Sequence, residues 1–153
     1  MLYATHAQVH LDHIVANLRA VRERVGDRAV LLAIKGDAYG HGAVPVAQAV
    51  TEAGAADWFG VATVPEGVEL REAGITAPIL KLSHALDEEL DTAVRAGLVL
   101  TVVSADTVVA AERAAAAAGV TSRGGPVWFR RPRVARADHV RRGRACRGAG
   151  RGR

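Results

Sequence analysis

Apolar residues along this chain recur with two different periods, which predict strands alternating with helices. A helix is predicted over Leu11–Val25, where apolar residues recur at helical spacing and Gly26 ends the run. A short strand is predicted just before it, over Ala7–Leu11, because apolar and polar residues alternate there. The apolar run Ala29–Ile34 has the length and character of a buried strand.

From this run onward the pattern predicts four units, each a strand followed by a helix. The later strands are predicted at Trp58–Val61, Ile79–Leu82 and Leu98–Val103, and the helices at Ala43–Ala53, Pro65–Ala73, Leu86–Arg95 and Ala105–Ala118, the last capped by Ser104. Such alternation predicts a parallel sheet covered by helices, with right-handed crossovers. No Gly-x-Gly-x-x-Gly segment follows the first strand, which disfavours a dinucleotide-binding sheet. A complete (β/α)8 barrel takes roughly 250 residues, so we predict an α/β chain holding about the first four units of a partial (β/α)8 TIM-type barrel.

Charge divides the chain into two unlike parts. Residues 1–120 contain nine Lys and Arg against fifteen Asp and Glu, a net charge of −6, whereas residues 121–153 contain eleven Arg against one Asp, a net charge of +10. We therefore predict a folded unit over 1–120 and an irregular basic tail over 121–153. The tail lacks lysine and is rich in residues with G- and C-rich codons, which favours a shifted reading frame near codon 121. Its arginines also support an alternative function, sequence-independent binding of nucleic acid.

Several classes of protein are disfavoured by composition. The single cysteine, Cys146, lies in the tail and cannot build a disulfide framework or a cysteine metal site. The start of the chain has no secretory signal pattern, and no apolar run reaches membrane-spanning length. We therefore expect a cytoplasmic protein without a membrane partner. His6, His10 and His13 are close in sequence but divided between a predicted strand and a helix, so no metal site is predicted.

Lys35 is the strongest candidate for chemistry. It follows six apolar residues and precedes three glycines, Gly36, Gly40 and Gly42, and the chain has only one other lysine. The carboxyl ends of parallel strands are where α/β proteins place their active sites. A desolvated lysine is also the residue type that forms Schiff bases with carbonyl cofactors. The alternative is a surface lysine that simply closes a strand.

The segment 33–43, AIKGDAYGHGA, resembles the pyridoxal phosphate lysine motif of the alanine racemases. Glycine at position 36, where that family usually has alanine, is the one departure. The segments 58–63, WFGVAT, 69–75, ELREAGI, and 77–80, APIL, also resemble that family, and the similarity covers about residues 5–120.

This resemblance implies a specific chemistry for two residues. Lys35 would form the Schiff base with pyridoxal 5'-phosphate and would act as the acid/base on the D-alanine side. Tyr39 would contact the cofactor phosphate through its hydroxyl, while Asp37 and His41 would hold the turn. The activity implied is that of an isomerase interconverting L-alanine and D-alanine, which supplies D-alanine for cell-wall peptidoglycan, and the full-length family is expected to be homodimeric.

Other functional groups of that family cannot be assigned to this sequence. They are the opposite tyrosine, donated across the dimer by a C-terminal domain, an arginine that pairs with the pyridine nitrogen, and most of the phosphate-binding loops. We therefore expect this chain to be truncated and poorly active by itself. The alternatives are a non-catalytic pyridoxal phosphate-binding barrel and a racemase of serine or another amino acid.

Four further titratable residues are not assigned a role in the chemistry. Glu66, Glu69 and Glu72 are predicted to form a solvated helix face, and His84 is predicted to be a solvated loop histidine.

Overall fold

A four-stranded parallel sheet forms the centre of the protein, as seen in a computed structural model that describes residues 6–119. Its strands are β1 Leu31–Ala33, β2 Trp58–Val61, β3 Ile79–Lys81 and β4 Leu98–Leu100. Their order in the sheet is their order in the chain, and each pairs in parallel with the next. This confirms the predicted α/β fold of successive β/α units.

Within residues 6–119, five right-handed α-helices connect or flank these strands: α1 Leu11–Val25, α2 Ala43–Glu52, α3 Val64–Glu72, α4 Leu90–Arg95 and α5 Ala105–Ala117. A 3₁₀ turn, Asp87–Glu89, precedes α4, and a separate turn, Lys35–Gly40, joins β1 to α2. Local sequence explains two of the helix starts. Thr63 caps α3 in a capping box, and the Ser104 hydroxyl accepts a hydrogen bond from the Thr107 backbone N–H at the start of α5.

The helices pack on one face of the sheet and leave the other open. The register aligns Leu32, Phe59, Ile79 and Leu98 across the four strands, and the last three are fully buried in the main core. Because side chains alternate along a strand, neighbouring positions point to the opposite face. On that face Leu31 and Leu82 remain 39% and 37% exposed. One face of the sheet is therefore a packed core, and the other is an apolar surface open to solvent.

Most predicted elements are found within three residues of their predicted ends, and one is wrong. The short strand predicted over Ala7–Leu11 is absent, since residues 7–10 are exposed and form no strand, and α1 begins at Leu11. The predicted tail over 121–153 lies outside the described residues. Within residues 6–119, no helix combines the length and apolar character needed to cross a membrane.

Candidate active site

The turn after β1 has a left-handed backbone. Four consecutive residues, Gly36 to Tyr39, have φ between 52° and 61° and ψ between 35° and 49°. Three of them, Asp37, Ala38 and Tyr39, are not glycine. For residues with a side chain this conformation costs about 1–2 kcal/mol each. Backbone strain of this kind persists only where the surroundings enforce it, and it is concentrated at functional sites.

Hydrogen bonds within and after the turn offset this cost. The Ala38 N–H donates to the Ile34 carbonyl at 2.8 Å, and the Gly42 N–H donates to the Asp37 carbonyl at 3.0 Å. The Asp37 carboxylate accepts from the Ala43 N–H at 2.6 Å, and His41 Nδ1 lies 2.8 Å from the Ala38 carbonyl. Asp37 and His41, which we predicted to hold the turn, therefore both make hydrogen bonds between the turn and the residues that follow it.

The turn presents two functional groups to solvent. Lys35, its first residue, is exposed, and Tyr39 is 63% exposed. Lys35 lies outside the core, because burial ends one residue earlier, at Ile34, which is 1% exposed. β1 is also an edge strand, and within residues 6–119 no further strand covers its outer side. The amine of Lys35 and the hydroxyl of Tyr39 are thus both accessible on one short segment at the carboxyl end of β1.

The sequence analysis assigned the environment of Glu66 wrongly. It was predicted to lie on a solvated helix face, but its side chain is half-buried and accepts three backbone hydrogen bonds. Oε1 accepts from the Gly36 N–H at 2.7 Å, directly after Lys35. Oε2 accepts from the Ala62 N–H at 2.7 Å and the Thr63 N–H at 3.0 Å. The capping box at Thr63 was the sequence signal that could have shown that Glu66 faces the backbone.

The charge of Glu66 is favoured by these contacts. Burial raises the pKa of its carboxyl, but the hydrogen bonds from the Gly36, Thr63 and Ala62 N–H groups together outweigh burial and lower the pKa below its ordinary value. The carboxylate is therefore ionised at neutral pH and accepts all three hydrogen bonds.

The second lysine, Lys81, has a different environment from Lys35. Its side chain is buried at the end of β3, and Nζ donates to Ser83 Oγ at 3.1 Å and to the His84 carbonyl at 2.8 Å. Nζ also lies 3.7 Å from Glu89 Oε2. A buried amine with these partners holds a loop and is not accessible to a cofactor. The His84 side chain is exposed, as predicted.

In the part of the chain that the structure describes, one group of possible metal ligands occurs, at the start of α1. The ligand atoms of His10, Asp12 and His13 lie within 4.8 Å of one another and all three residues are exposed. The two imidazole rings are stacked, with centroids 4.9 Å apart and planes 19° from parallel. Imidazole coordinates through a lone pair in its ring plane, and nearly parallel planes do not converge on one ion.

Similar proteins identify the family of this chain. The alanine racemase N-terminal domain family matches residues 9–130. This chain belongs to that family. An alanine racemase of Cutibacterium acnes is 54% identical over 119 residues, covering 78% of this chain and 32% of that protein. A solved alanine racemase of Clostridium difficile 630, in complex with cycloserine, superimposes with a TM-score of 0.71 at 34% identity, covering 78% of this chain and 33% of the other.

The structural neighbours include a racemase with a different name. A histidine racemase of Leuconostoc mesenteroides superimposes with a TM-score of 0.65 at 26% identity, over 72% of this chain and 30% of that protein. Alanine racemases are pyridoxal phosphate-dependent enzymes. This chain spans about a third of the length of the alanine racemases it matches. It therefore corresponds to the N-terminal barrel portion of such an enzyme.

Proposed function

We propose that this chain is the cofactor-attachment portion of an alanine racemase, with Lys35 as the residue that binds pyridoxal 5'-phosphate. The observation that carries the proposal is the accessible amine of Lys35 at the start of the left-handed turn, in a chain of this family. The reaction is the interconversion of L-alanine and D-alanine, which supplies D-alanine for the cell wall, in the cytoplasm.

The residues of the turn fit this cofactor chemically. An aldehyde requires a primary amine, and Lys35 supplies one that is exposed, whereas Lys81 is buried and hydrogen-bonded. A phosphate requires hydrogen-bond donors, and the Tyr39 hydroxyl is an exposed donor four residues further on. When bound, the cofactor supplies a pyridine ring that accepts the electrons left on the α-carbon of the amino acid.

Lys35 then has a second role in proton transfer. Its Nζ is the atom that removes or returns the α-proton on the D-alanine side, which needs positioning within hydrogen-bond reach. The rigid turn limits where that atom lies, because its backbone is fixed from Ile34 to Ala43 by hydrogen bonds. Inversion also needs an acid/base group on the opposite face of the α-carbon. We assign that group to the C-terminal part of the full-length dimer, so this chain should be poorly active alone.

Borohydride reduction in the presence of pyridoxal phosphate tests the proposal directly. The full chain should acquire a pyridoxyl label that peptide mapping places on Lys35, together with an absorbance band near the visible edge before reduction. Lys81 is an internal control, because it is 3% exposed and should stay unlabelled.

Lys35→Arg is the matched variant, since it keeps the positive charge but cannot condense with an aldehyde. It should lose both the band and the label. Labelling that persists in this variant, or that maps to Lys81 or the N-terminal amine in the unaltered chain, would refute the assignment.

The histidine racemase among the structural neighbours favours a second candidate, a racemase for another amino acid. Substrate choice can be read from the absorbance band of the bound cofactor before reduction. Addition of L-alanine should perturb the cofactor band more than L-serine or L-histidine does. The reverse order would assign the chain to a different substrate while leaving Lys35 as the attachment point.

A further inference from the structure

Glu66 connects the Lys35 turn to the neighbouring β/α unit. Its Oε1 accepts from the Gly36 N–H, which belongs to the peptide bond between Lys35 and Gly36. Its Oε2 accepts from Ala62 and Thr63, at the end of β2 and the start of α3. One carboxylate therefore joins the carboxyl ends of two adjacent strands across thirty residues of sequence.

The hydrogen bond from the Gly36 N–H to Glu66 lies where the left-handed backbone begins. Gly36 is the first residue of the turn with positive φ, and its N–H is held from outside the turn by Glu66. The hydrogen bonds inside the turn lie further along, at Ala38, His41 and Gly42. Without Glu66 the peptide bond after Lys35 would lose its acceptor, and the turn would be fixed mainly at its far end.

We propose that Glu66 is a positioning residue for Lys35: its carboxylate fixes the peptide bond that follows the lysine and so sets where Nζ lies at the carboxyl edge of the sheet. This inference rests on the proposed function, in which Lys35 Nζ binds the cofactor. A positioning role of this kind is expected where a reactive group must be held rigidly, because supporting contacts decide the precision of a site.

The test compares Glu66→Gln with Glu69→Gln in the full chain. Glutamine at position 66 keeps one acceptor oxygen but replaces the other with an NH2 group, so it cannot accept from both Gly36 and the Ala62–Thr63 pair. Glu69 lies on the same helix and is exposed, which makes Glu69→Gln the matched control. Pyridoxal phosphate is titrated into each protein, and borohydride-trapped label on Lys35 is quantified by peptide mapping. Glu66→Gln should weaken loading of Lys35 by about tenfold, and Glu69→Gln should load like the unaltered chain.

A second measurement separates positioning from general loss of stability. Amide hydrogen exchange at Gly36 should accelerate in Glu66→Gln and not in Glu69→Gln, while exchange in the buried strand β2 stays unchanged in both. Normal loading of Lys35 in Glu66→Gln would overturn the inference and leave the proposed function intact. Absence of label on Lys35 in the unaltered chain would instead overturn the proposed function.

Should Glu66→Gln fail to fold, Glu66→Asp serves in its place. Aspartate keeps the charge at the start of α3 but is one methylene shorter, so it cannot span from Ala62 and Thr63 to Gly36. It should show the same weakened loading, and loading equal to that of the unaltered chain would contradict the proposal.

Discussion

The amino ends and the carboxyl ends of the strands form two opposite sides of the sheet, called here the amino edge and the carboxyl edge. Each is held by a charged side chain of α3, and the two charges are opposite in sign. At the carboxyl edge Glu66, near the start of α3, accepts hydrogen bonds from backbone N–H groups. At the amino edge Arg71, near the end of α3, donates to the carbonyl oxygens of Ile75, Ala77, Ala96 and Gly97 at 2.5–3.0 Å. The same helix therefore fixes both edges, each through the backbone group that is free there.

The difference lies in what each edge exposes. The Arg71 guanidinium is half-buried and satisfies the carbonyls of two loops that lead into β3 and β4. The Glu66 carboxylate instead holds a strained turn that carries an exposed lysine and an exposed tyrosine. In barrels of this type the amino edge serves stability and the carboxyl edge serves chemistry. Changes at Arg71 should therefore affect the fold, and changes at Glu66 should affect the site.

Removing the amino-edge charge should give the largest effect. Arg71→Ala deletes donors to four carbonyl oxygens and leaves part-buried acceptors without partners, which should lower the free energy of unfolding by about 3–4 kcal/mol. Urea unfolding followed by circular dichroism measures this loss.

Arg95→Ala is the control for the Arg71 variant. Arg95 forms an exposed ion pair with Asp91 one helical turn away and makes no comparable set of backbone contacts. Its unfolding midpoint should stay close to that of the unaltered chain. Equal losses in the two variants would show that the amino edge does not depend on the Arg71 guanidinium.

An added methyl group should distinguish the two faces of the sheet, with a smaller effect. A Cβ on Gly67 would lie 2.7–2.8 Å from two methyl carbons of Leu98, which is fully buried. Overpacking at such a site costs about 1–3 kcal/mol, partly offset by the better helix propensity of alanine. A Cβ on Gly60 would lie 2.9 Å from Leu31 and 3.2 Å from Leu82, but both leucines are partly exposed and free to move.

We therefore expect Gly67→Ala to destabilise by about 1–2 kcal/mol and Gly60→Ala by less than about 1 kcal/mol. Denaturant titration of both variants measures the difference. A larger cost for Gly60→Ala would mean that the open face is packed as tightly as the helical face.

Local pattern was sufficient to predict most of the fold. β2 was predicted with its observed bounds, and α1 also matches, because each is a short periodic run ended by a glycine or a polar turn. The two outer strands of the sheet, β1 and β4, are shorter than predicted. β4 ends at Leu100 and not at Val103, since this outer strand has a hydrogen-bonded neighbour on one side only.

The geometry of the site could not be predicted in the same way. The types of Ala38 and Tyr39 give no indication of a left-handed backbone, because each normally adopts negative φ, and only Asp37 is of a type enriched there. The contact from Glu66 to Gly36 spans thirty residues, and local periodicity carries no information at that distance. Lys35 was identified from its context, but its exposure follows from the position of β1 at the edge of the sheet.

The amino edge and the carboxyl edge should also differ in their response to acid. This effect on stability should be smaller than those of the arginine and glycine substitutions. At the amino edge, a hydrogen bond from the Val30 N–H is the main cause that lowers the pKa of Asp57, against an ordinary value of 3.8, and Arg22 adds to it. At the carboxyl edge the pKa of Glu66 is lowered from 4.5, as burial is outweighed by three backbone hydrogen bonds. A carboxyl whose folded-state pKa is depressed stabilises the protein fully above its ordinary pKa and loses that contribution as the pH falls through the folded-state value.

Unfolding free energy should therefore decline on acidification from about pH 5 to about pH 3. Glu66→Gln should remove the part that begins below pH 4.5, and Asp57→Asn the part that begins below pH 3.8. Each part should stay below about 1 kcal/mol, because both carboxylates retain contact with solvent. Urea midpoints measured across this range for the three proteins decide the matter. If Glu66→Gln keeps the full acid dependence of the unaltered chain, its carboxylate does not hold the turn through charge. If Asp57→Asn keeps the full acid dependence, the Asp57 carboxylate does not stabilise the amino edge through its charge.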